Sequence, residues 1–169
     1  MTDRNASAAD LRFGGQPTAA GSSEHRDYVT MSIADQMFGI PVLKVQDVLG
    51  TQAITRVPLA PPEVAGSLNL RGRIVTAIDV RPRLGMAKRD EGKSPMSVVV
   101  EHDGELYSLL VDSVGEVLSL DTRDYQRNPP TLNPRLREFS DGIYRLNGSL
   151  LVVLSVASLL NFGGRVDAA

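Results

Sequence analysis

Two dipeptides do most to limit what this chain can fold into: Asp103-Gly104 and Asn147-Gly148. Each stands between two runs rich in apolar and β-branched residues. The first separates Met96–His102 from Glu105–Asp112, the second Ile143–Leu146 from Leu150–Leu154. A link this short must reverse the chain at once, through backbone conformations that Asn, Asp and Gly tolerate best. It is therefore the strongest short-range signal for a β-hairpin. Other strands follow from the pattern. Val29, Met31 and Ile33 alternate with Tyr28, Thr30 and Ser32, a period of two. Phe38–Ile40 can return after a turn near Asp35-Gln36. Ala53–Val57 reads as a short strand stopped by Pro58, Arg73–Val80 as a strand apolar on nearly both faces, and Gly115–Leu120 as another. Many short strands with tight turns at this spacing predict an all-β fold of one or two small β-barrels.

Helices are few and short. Pro41 suits a first helical position because it lacks an N–H and its φ is preset. Val42, Val45 and Leu49 then fall at i, i+3 and i+7 with Val48 beside them, and Gly50 is a natural stop. A second short helix is predicted over Val156–Asn161, ending at Gly163-Gly164.

With no Trp, four Tyr and four Phe, the core must be aliphatic. The length of 169 residues suits one domain, or two very small ones sharing a core. Residues 1–26, rich in Ala, Ser, Gly, Thr and Asp and without apolar period, read as a disordered lead-in. The body runs over 27–163, with a short tail at 164–169, and shows no internal repeat. The lead-in lacks the apolar run of a signal peptide. Leu150–Leu154, the longest such run elsewhere, is far too short to cross a bilayer. Cysteine is absent, which removes disulfides, thiolate metal sites and cysteine nucleophiles together and leans the reading toward the cytoplasm.

Catalysis finds no footing. His25 falls in the lead-in and His102 ends a strand, too few ligands for a metal site. No Gly-x-Ser-x-Gly elbow, Gly-x-Gly-x-x-Gly turn or phosphate-binding loop occurs. The expectation is a non-enzymatic protein without cofactor or metal. A net charge of −2 gives no global field for nucleic acid.

Three features stand out. Asp47 lies near the C-terminal end of the expected helix, where the macrodipole disfavours an anion; it is either an unpaired surface acid or offset by a cation such as Arg71. The segment containing Arg71, Arg73, Arg81, Arg83, Lys88 and Arg89 is either a set of solvated turn ends or a cationic patch. The patch would suit an acidic partner or nucleic acid, though the interleaved aromatics of single-strand binding are missing. The stripe Val42, Val45, Val48 is either core or, on so short a helix, the border of a groove.

Five motifs occur in order: Phe38-Gly39-Ile40-Pro41-Val42-Leu43-Lys44-Val45-Gln46-Asp47-Val48, Ile54-Thr55-Arg56-Val57-Pro58, Gly66-Ser67-Leu68-Asn69-Leu70-Arg71-Gly72-Arg73, Ile78-Asp79-Val80-Arg81 and Leu110-Val111-Asp112-Ser113-Val114-Gly115-Glu116-Val117-Leu118. From about Asp27 to Phe162 the chain resembles the CheW family, the coupling proteins of bacterial chemotaxis. The resemblance implies two five-stranded, SH3-like barrels on a shared apolar core. It also implies an adaptor linking the cytoplasmic tips of chemoreceptors to the histidine kinase CheA, in cytoplasmic arrays at the membrane and without inserting into it. The kinase's regulatory domain has the same double-barrel fold, so other CheW-like proteins are further candidate partners.

By this resemblance the receptor tip, a helical hairpin, would lie in an apolar groove at Val29, Val42, Val45, Val48 and Val114. Asp47 and Arg71 would form a surface pair supporting partner binding, and Gly66 would stand where a side chain crowds the surface. Arg56, Val57 and Arg71 would mark the kinase contact. Pro41 stands where the family commonly has a polar or acidic residue, and the loop Asp121–Asn133 is distinctive. The competing reading of the same chain is a small-barrel nucleic-acid binder using Arg71–Arg89.

Overall fold

A computed structural model describes residues 24–161 apart from Lys88 and Glu91. The lead-in up to Ser23 and the tail 164–169 lie outside the described residues, but His25 and Arg26, read as lead-in, already belong to the first strand. The strands are β1 (His25–Ile33), β2 (Gln36–Pro41), β3 (Val45–Leu49), β4 (Val64–Leu70), β5 (Arg73–Asp79), β6 (Met96–His102), β7 (Glu105–Val111), β8 (Ser113–Asp121), β9 (Tyr125–Gln126), β10 (Ser140–Leu146) and β11 (Ser149–Leu154). Three short helices, α1 (Val80–Arg83), α2 (Pro134–Glu138) and α3 (Val156–Leu160), fill the ends.

The strands form two mixed sheets, one in the order β9-β10-β11-β2-β1-β8 and one in the order β3-β6-β7-β5-β4. The second is inserted whole between β2 and β8 of the first. The chain therefore crosses between sheets twice, at Val42–Lys44 and at Asp112. This is the expected pair of small SH3-like barrels, although neither sheet closes through a continuous hydrogen-bonded ladder.

Residues of both sheets build one core. Ile33, Phe38, Ile40, Ile143 and Val152 meet Ile78, Val98, Val100, Leu109 and Val111 there. The opposite faces are also covered, by Tyr28, Tyr144, Leu151 and Val153 in one sheet and by Leu68, Val75, Ala77 and Leu110 in the other. Burial on both faces explains why Leu150–Leu154 is continuously apolar. Each fully buried aliphatic side chain contributes roughly 1.5–3 kcal/mol to holding the sheets together.

The two halves of the chain repeat each other. A constant shift of 69 residues carries the pairs of β1 with β8 and β2 onto those of β6 with β3 and β7. Met31 opposite Val114 and Phe38 becomes Val100 opposite Val45 and Tyr107; Val29 opposite Val117 becomes Val98 opposite Val48. A shift of 76 carries β4–β5 onto β10–β11. The Asp79 amide donates to the Glu63 carbonyl at 2.8 Å, and the Ser155 amide to the Phe139 carbonyl at 2.9 Å. Each barrel takes one hairpin from one half and its edge strand and second hairpin from the other. The sixth strand, β9, corresponds to a single bridge between Thr55 and Ser67 in the five-stranded sheet. The repeat is one of structure and register, not of sequence. The halves share folding instructions at a few positions, such as Gly66 and Gly142, Gly72 and Gly148, and little sequence between them.

Other expectations change. The helix predicted from Pro41 to Gly50 is one 3-10 turn, Val42–Lys44, followed by strand β3. Ala53–Val57 forms no strand beyond the Thr55 bridge. Strand β4 and helices α1 and α2 were not signalled by periodicity. The second predicted helix is α3, capped by Ser155, whose hydroxyl accepts from the Ser158 amide; its Gly163-Gly164 stop lies outside the described residues. Instead, the Arg83 guanidinium donates to the carbonyls of Ser158, Leu159 and Asn161 at the helix end. A cation there also suits the helix dipole.

Candidate functional site

The valines named from sequence gather at the two crossovers. Val42 and Val45 lie where the chain leaves the six-stranded sheet, Val114 where it returns, and all three pack, partly buried, against the shared core. Pro41 pairs with Tyr28 and Ser113 with Ser32. The crossovers thus sit about 13 Å apart along β1, at 3.3 Å per residue. Val29 lies on β1 between them but is only 6% exposed. It belongs to the core beneath the site.

Val48 reaches the same face as Val45 by an unexpected route. In a regular strand, residues three apart point to opposite faces. A bulge intervenes here: Val45 stands opposite Val100, while Asp47 and Val48 stand opposite Val99 and Val98. Val98 and Val100 both face the shared core, so Val45 and Val48 share that face. The i, i+3 spacing that reads as helical is a bulged strand. The other edge repeats the device, since Val114 stands opposite Met31 and Val117 opposite Val29. Val48 is 38% exposed and Val117 more so, leaving each sheet with a partly uncovered apolar edge. Leu43, at the crossover turn, was not singled out from sequence, yet it is 95% exposed.

Asp47 sits on this bulge and not at a helix end, so the macrodipole argument does not apply. Its carboxylate lies 3.1 Å from the Arg71 guanidinium, with side-chain exposures of 26% and 77%. Arg71 and Gly72 form the two-residue loop of the β4–β5 hairpin, with φ of 53° and 85°. The left-handed region costs a residue with a Cβ roughly 1–2 kcal/mol. The Asn69 side chain, which accepts from the Gly72 amide at 2.9 Å, helps hold the turn. Because β3 and β4 are the two edges of the five-stranded sheet, the ion pair clasps its open side. An exposed pair returns at most about 1 kcal/mol, so a strained arginine there is poorly explained by stability. Across the pseudo-repeat, Glu116 and Asn147 occupy the positions of Asp47 and Arg71, and no such clasp can form.

Gly66 answers to the backbone. A Cβ there would stand 2.2 Å from the Thr55 carbonyl oxygen, at a φ of 150°. The glycine lets the segment after β3 lie against β4 and so positions Arg56 and Val57. These two, both exposed, begin a loop with Pro58 and the fully exposed, left-handed Leu59. The loop borders an open hollow of about 840 Å³ that also includes Pro62, Pro82 and Met86. Gly66, Arg71 and the Arg56–Val57 loop are thus brought to one barrel, and the clasp links them to β3.

The basic segment divides. Arg81, 15% exposed, donates through Nε and Nη2 to Asp112 at 3.1 and 2.6 Å. Arg89, 11% exposed, donates through Nε to the same carboxylate at 3.2 Å and lies 3.7 Å from Asp79. Arg83 is buried at the end of α3, with its Nη1 3.9 Å from Glu63. Lys88 lies outside the described residues. Of the described cations in this segment only Arg71 and Arg73 remain at the surface. Both earlier readings of the segment, solvated turn ends and a cationic patch, fail for Arg81, Arg83 and Arg89, and the nucleic-acid reading loses its footprint. The Asp112 cluster itself was missed, although Asp79-Val80-Arg81 and Val111-Asp112-Ser113 both lie in the quoted motifs. Partial burial opposes ionisation of Asp112. The hydrogen bonds and charges of Arg81, with the Ala34 amide and Arg89, outweigh it and hold the carboxyl at about 2. Among the described residues no cluster of His, Asp and Glu could hold a metal ion, and no helix is long and apolar enough to cross a membrane.

A sequence model described as a CheW-like domain matches residues 27–162, most of the chain. This chain belongs to the CheW-like domain family. The Chemotaxis protein CheW of Rhizobium meliloti is 28% identical over 134 residues, covering 79% of this chain and 86% of that protein. The protein of the same name from Helicobacter pylori is 27% identical over 154 residues, covering 88% and 93%. The crystal structure of scaffolding protein TtCheW from Thermoanaerobacter tengcongensis superposes with a TM-score of 0.75 at 28% identity, over 84% of this chain and 97% of that one. The double-barrel architecture is therefore that of a solved CheW protein.

Proposed function

We propose that this CheW-like protein is a non-enzymatic adaptor of chemotaxis signalling, coupling chemoreceptor cytoplasmic tips to the histidine kinase CheA within cytoplasmic arrays. Its relatives are named as chemotaxis proteins and its solved relative as a scaffolding protein. The observation that carries the reading is Arg71. It is left-handed, largely exposed and paired to Asp47, on a barrel whose edge leaves Val48 exposed beside the half-buried Val45. An apolar edge suits the apolar face of a helix, and the receptor tip is the helical partner proposed for Val42, Val45, Val48 and Val114. The loop of Arg56 and Val57, together with Arg71 on the same barrel, is proposed for the kinase regulatory domain. The test is co-purification with that domain, with and without a receptor tip. A ternary complex from the native chain supports the adaptor, and absence of binding to either partner contradicts it.

A further inference from the structure

The two crossovers are equivalent under the 69-residue shift, yet they are built differently. The first, Val42–Lys44, is a 3-10 turn whose middle residue, Leu43, stands in solvent. The equivalent residue at the second is Asp112, the one residue between β7 and β8. Its amide donates to the Ser32 carbonyl at 3.0 Å. Its carboxylate accepts from the Ala34 amide at 2.8 Å, from Arg81 and from Arg89. Ala34 belongs to the β1–β2 turn of the six-stranded sheet and is left-handed at a φ of 51°. Arg81 belongs to α1, the continuation of β5 in the five-stranded sheet. One side chain therefore ties the tip of a hairpin in one barrel to the end of a strand in the other, at a link with no slack.

We propose that Asp112 is a positioning residue: with Arg81 and Arg89 it pins the two barrels at one crossover and so sets the spacing between the apolar edges at Val42–Val48 and Val114–Val117. The shared core, mostly aliphatic with Phe38 and Phe139, packs the barrels together, and the bidentate Arg81–Asp112 contact adds a fixed direction at the crossover. Val114 lies two residues from the pin, so a tilt there moves one wall of the edge relative to the other. That this spacing matters for a receptor hairpin rests on the adaptor reading; that Asp112 sets it does not.

The experiment uses the absence of cysteine from the chain. Glu105→Cys on β7 and Ser149→Cys on β11, both exposed and one in each barrel, accept spin labels without background. Distances between the labels are measured by pulsed electron resonance on the free protein, with and without Asp112→Asn. Circular dichroism checks that both barrels remain folded. The expected result is a single narrow distance distribution in the parent and a broadened or displaced one in the variant, with receptor-hairpin affinity reduced roughly tenfold. A variant distribution that superimposes on the parent overturns the proposal. Should Asp112→Asn fail to fold, Arg81→Lys keeps the charge but loses the two-pronged contact, and the same broadening is expected, with superposition again decisive against it. A parent protein that binds no receptor hairpin speaks against the adaptor reading alone, because the label distance is read without partners.

Discussion

The two places where the chain changes barrels make an informative comparison. They are related by the internal repeat, follow hairpins of the same register and precede edge strands with the same valine spacing and bulge. At one, Leu43 projects bare into solvent; at the other, Asp112 is gripped by Arg81, Arg89 and the Ala34 amide. The clasp shows the same asymmetry, since Asp47 and Arg71 pair on one barrel where the other offers Glu116 and Asn147. Symmetric features carry the fold: core valines, bulges, and the close-packed Gly66 and Gly142, whose added Cβ would meet the Thr55 carbonyl in one case and the Tyr125 ring in the other. Departures from symmetry are where residues are free to serve a partner or to fix one barrel on the other.

The largest expected difference between the crossovers is at Asp112. Replacing it by Ala leaves two largely buried guanidinium groups without their shared acceptor. The expected cost is about 2–3 kcal/mol, below the range for a fully buried pair because the site is partly solvated. Leu43→Ser, at the equivalent position, should stay within about 0.5 kcal/mol. Calorimetry would register the first as a fall of several degrees in Tm and the second as almost none. Equal effects would mean the crossovers are alike.

The next effect is on acid stability. Asp112 has a folded pKa of about 2 against an ordinary 3.8. Its contribution is complete above about pH 4 and is lost as pH falls from there toward 2, because the unfolded chain takes up the proton first. Denaturant titrations of the parent and Asp112→Asn should differ at pH 6 and converge near pH 2. A constant difference across that range would detach the carboxylate's charge from its role.

Arg71→Asn sharpens the contrast from the other side. Asn tolerates the left-handed turn better than Arg, and the lost ion pair is exposed. Stability should therefore stay level or rise by up to about 1 kcal/mol, while partner binding falls. Glu116→Gln, the counterpart of Asp47→Asn across the repeat, should show the smallest change, leaving stability and partner assembly as they were, whereas Asp47→Asn weakens assembly. Binding assays on both variants decide the point.

Much of the fold could be read in the sequence because the signals were local. Asp103-Gly104 and Asn147-Gly148 did join hairpins, and the run Leu150–Leu154 was a strand buried on both faces. The turn at Ala34-Asp35 was harder, because Ala at positive φ has no local explanation and depends on Asp112, far away in sequence. The valines at 42, 45 and 48 misled because a bulge gives a strand the spacing of a helix. Arg81, Arg83 and Arg89 read as surface charge because Asp112 is brought to them by the parallel pairing of β5 with β7, and the carbonyls at the end of α3 by the packing of one barrel on the other. The Asp47–Arg71 pair had been one of two open possibilities, and the clasp geometry decided it. Val29 lies along β1 on the buried side of the site.

On the proposed adaptor role, the exposed clasp and the apolar edge beside it serve partners and not stability. Receptor-dependent kinase activity, reconstituted from receptor, CheA and this protein, tests it most directly. Arg71→Ala and Val48→Asp should remain folded and lose that activity, with Arg71→Ala melting within a few degrees of the parent. Full activity from both folded variants would contradict the account.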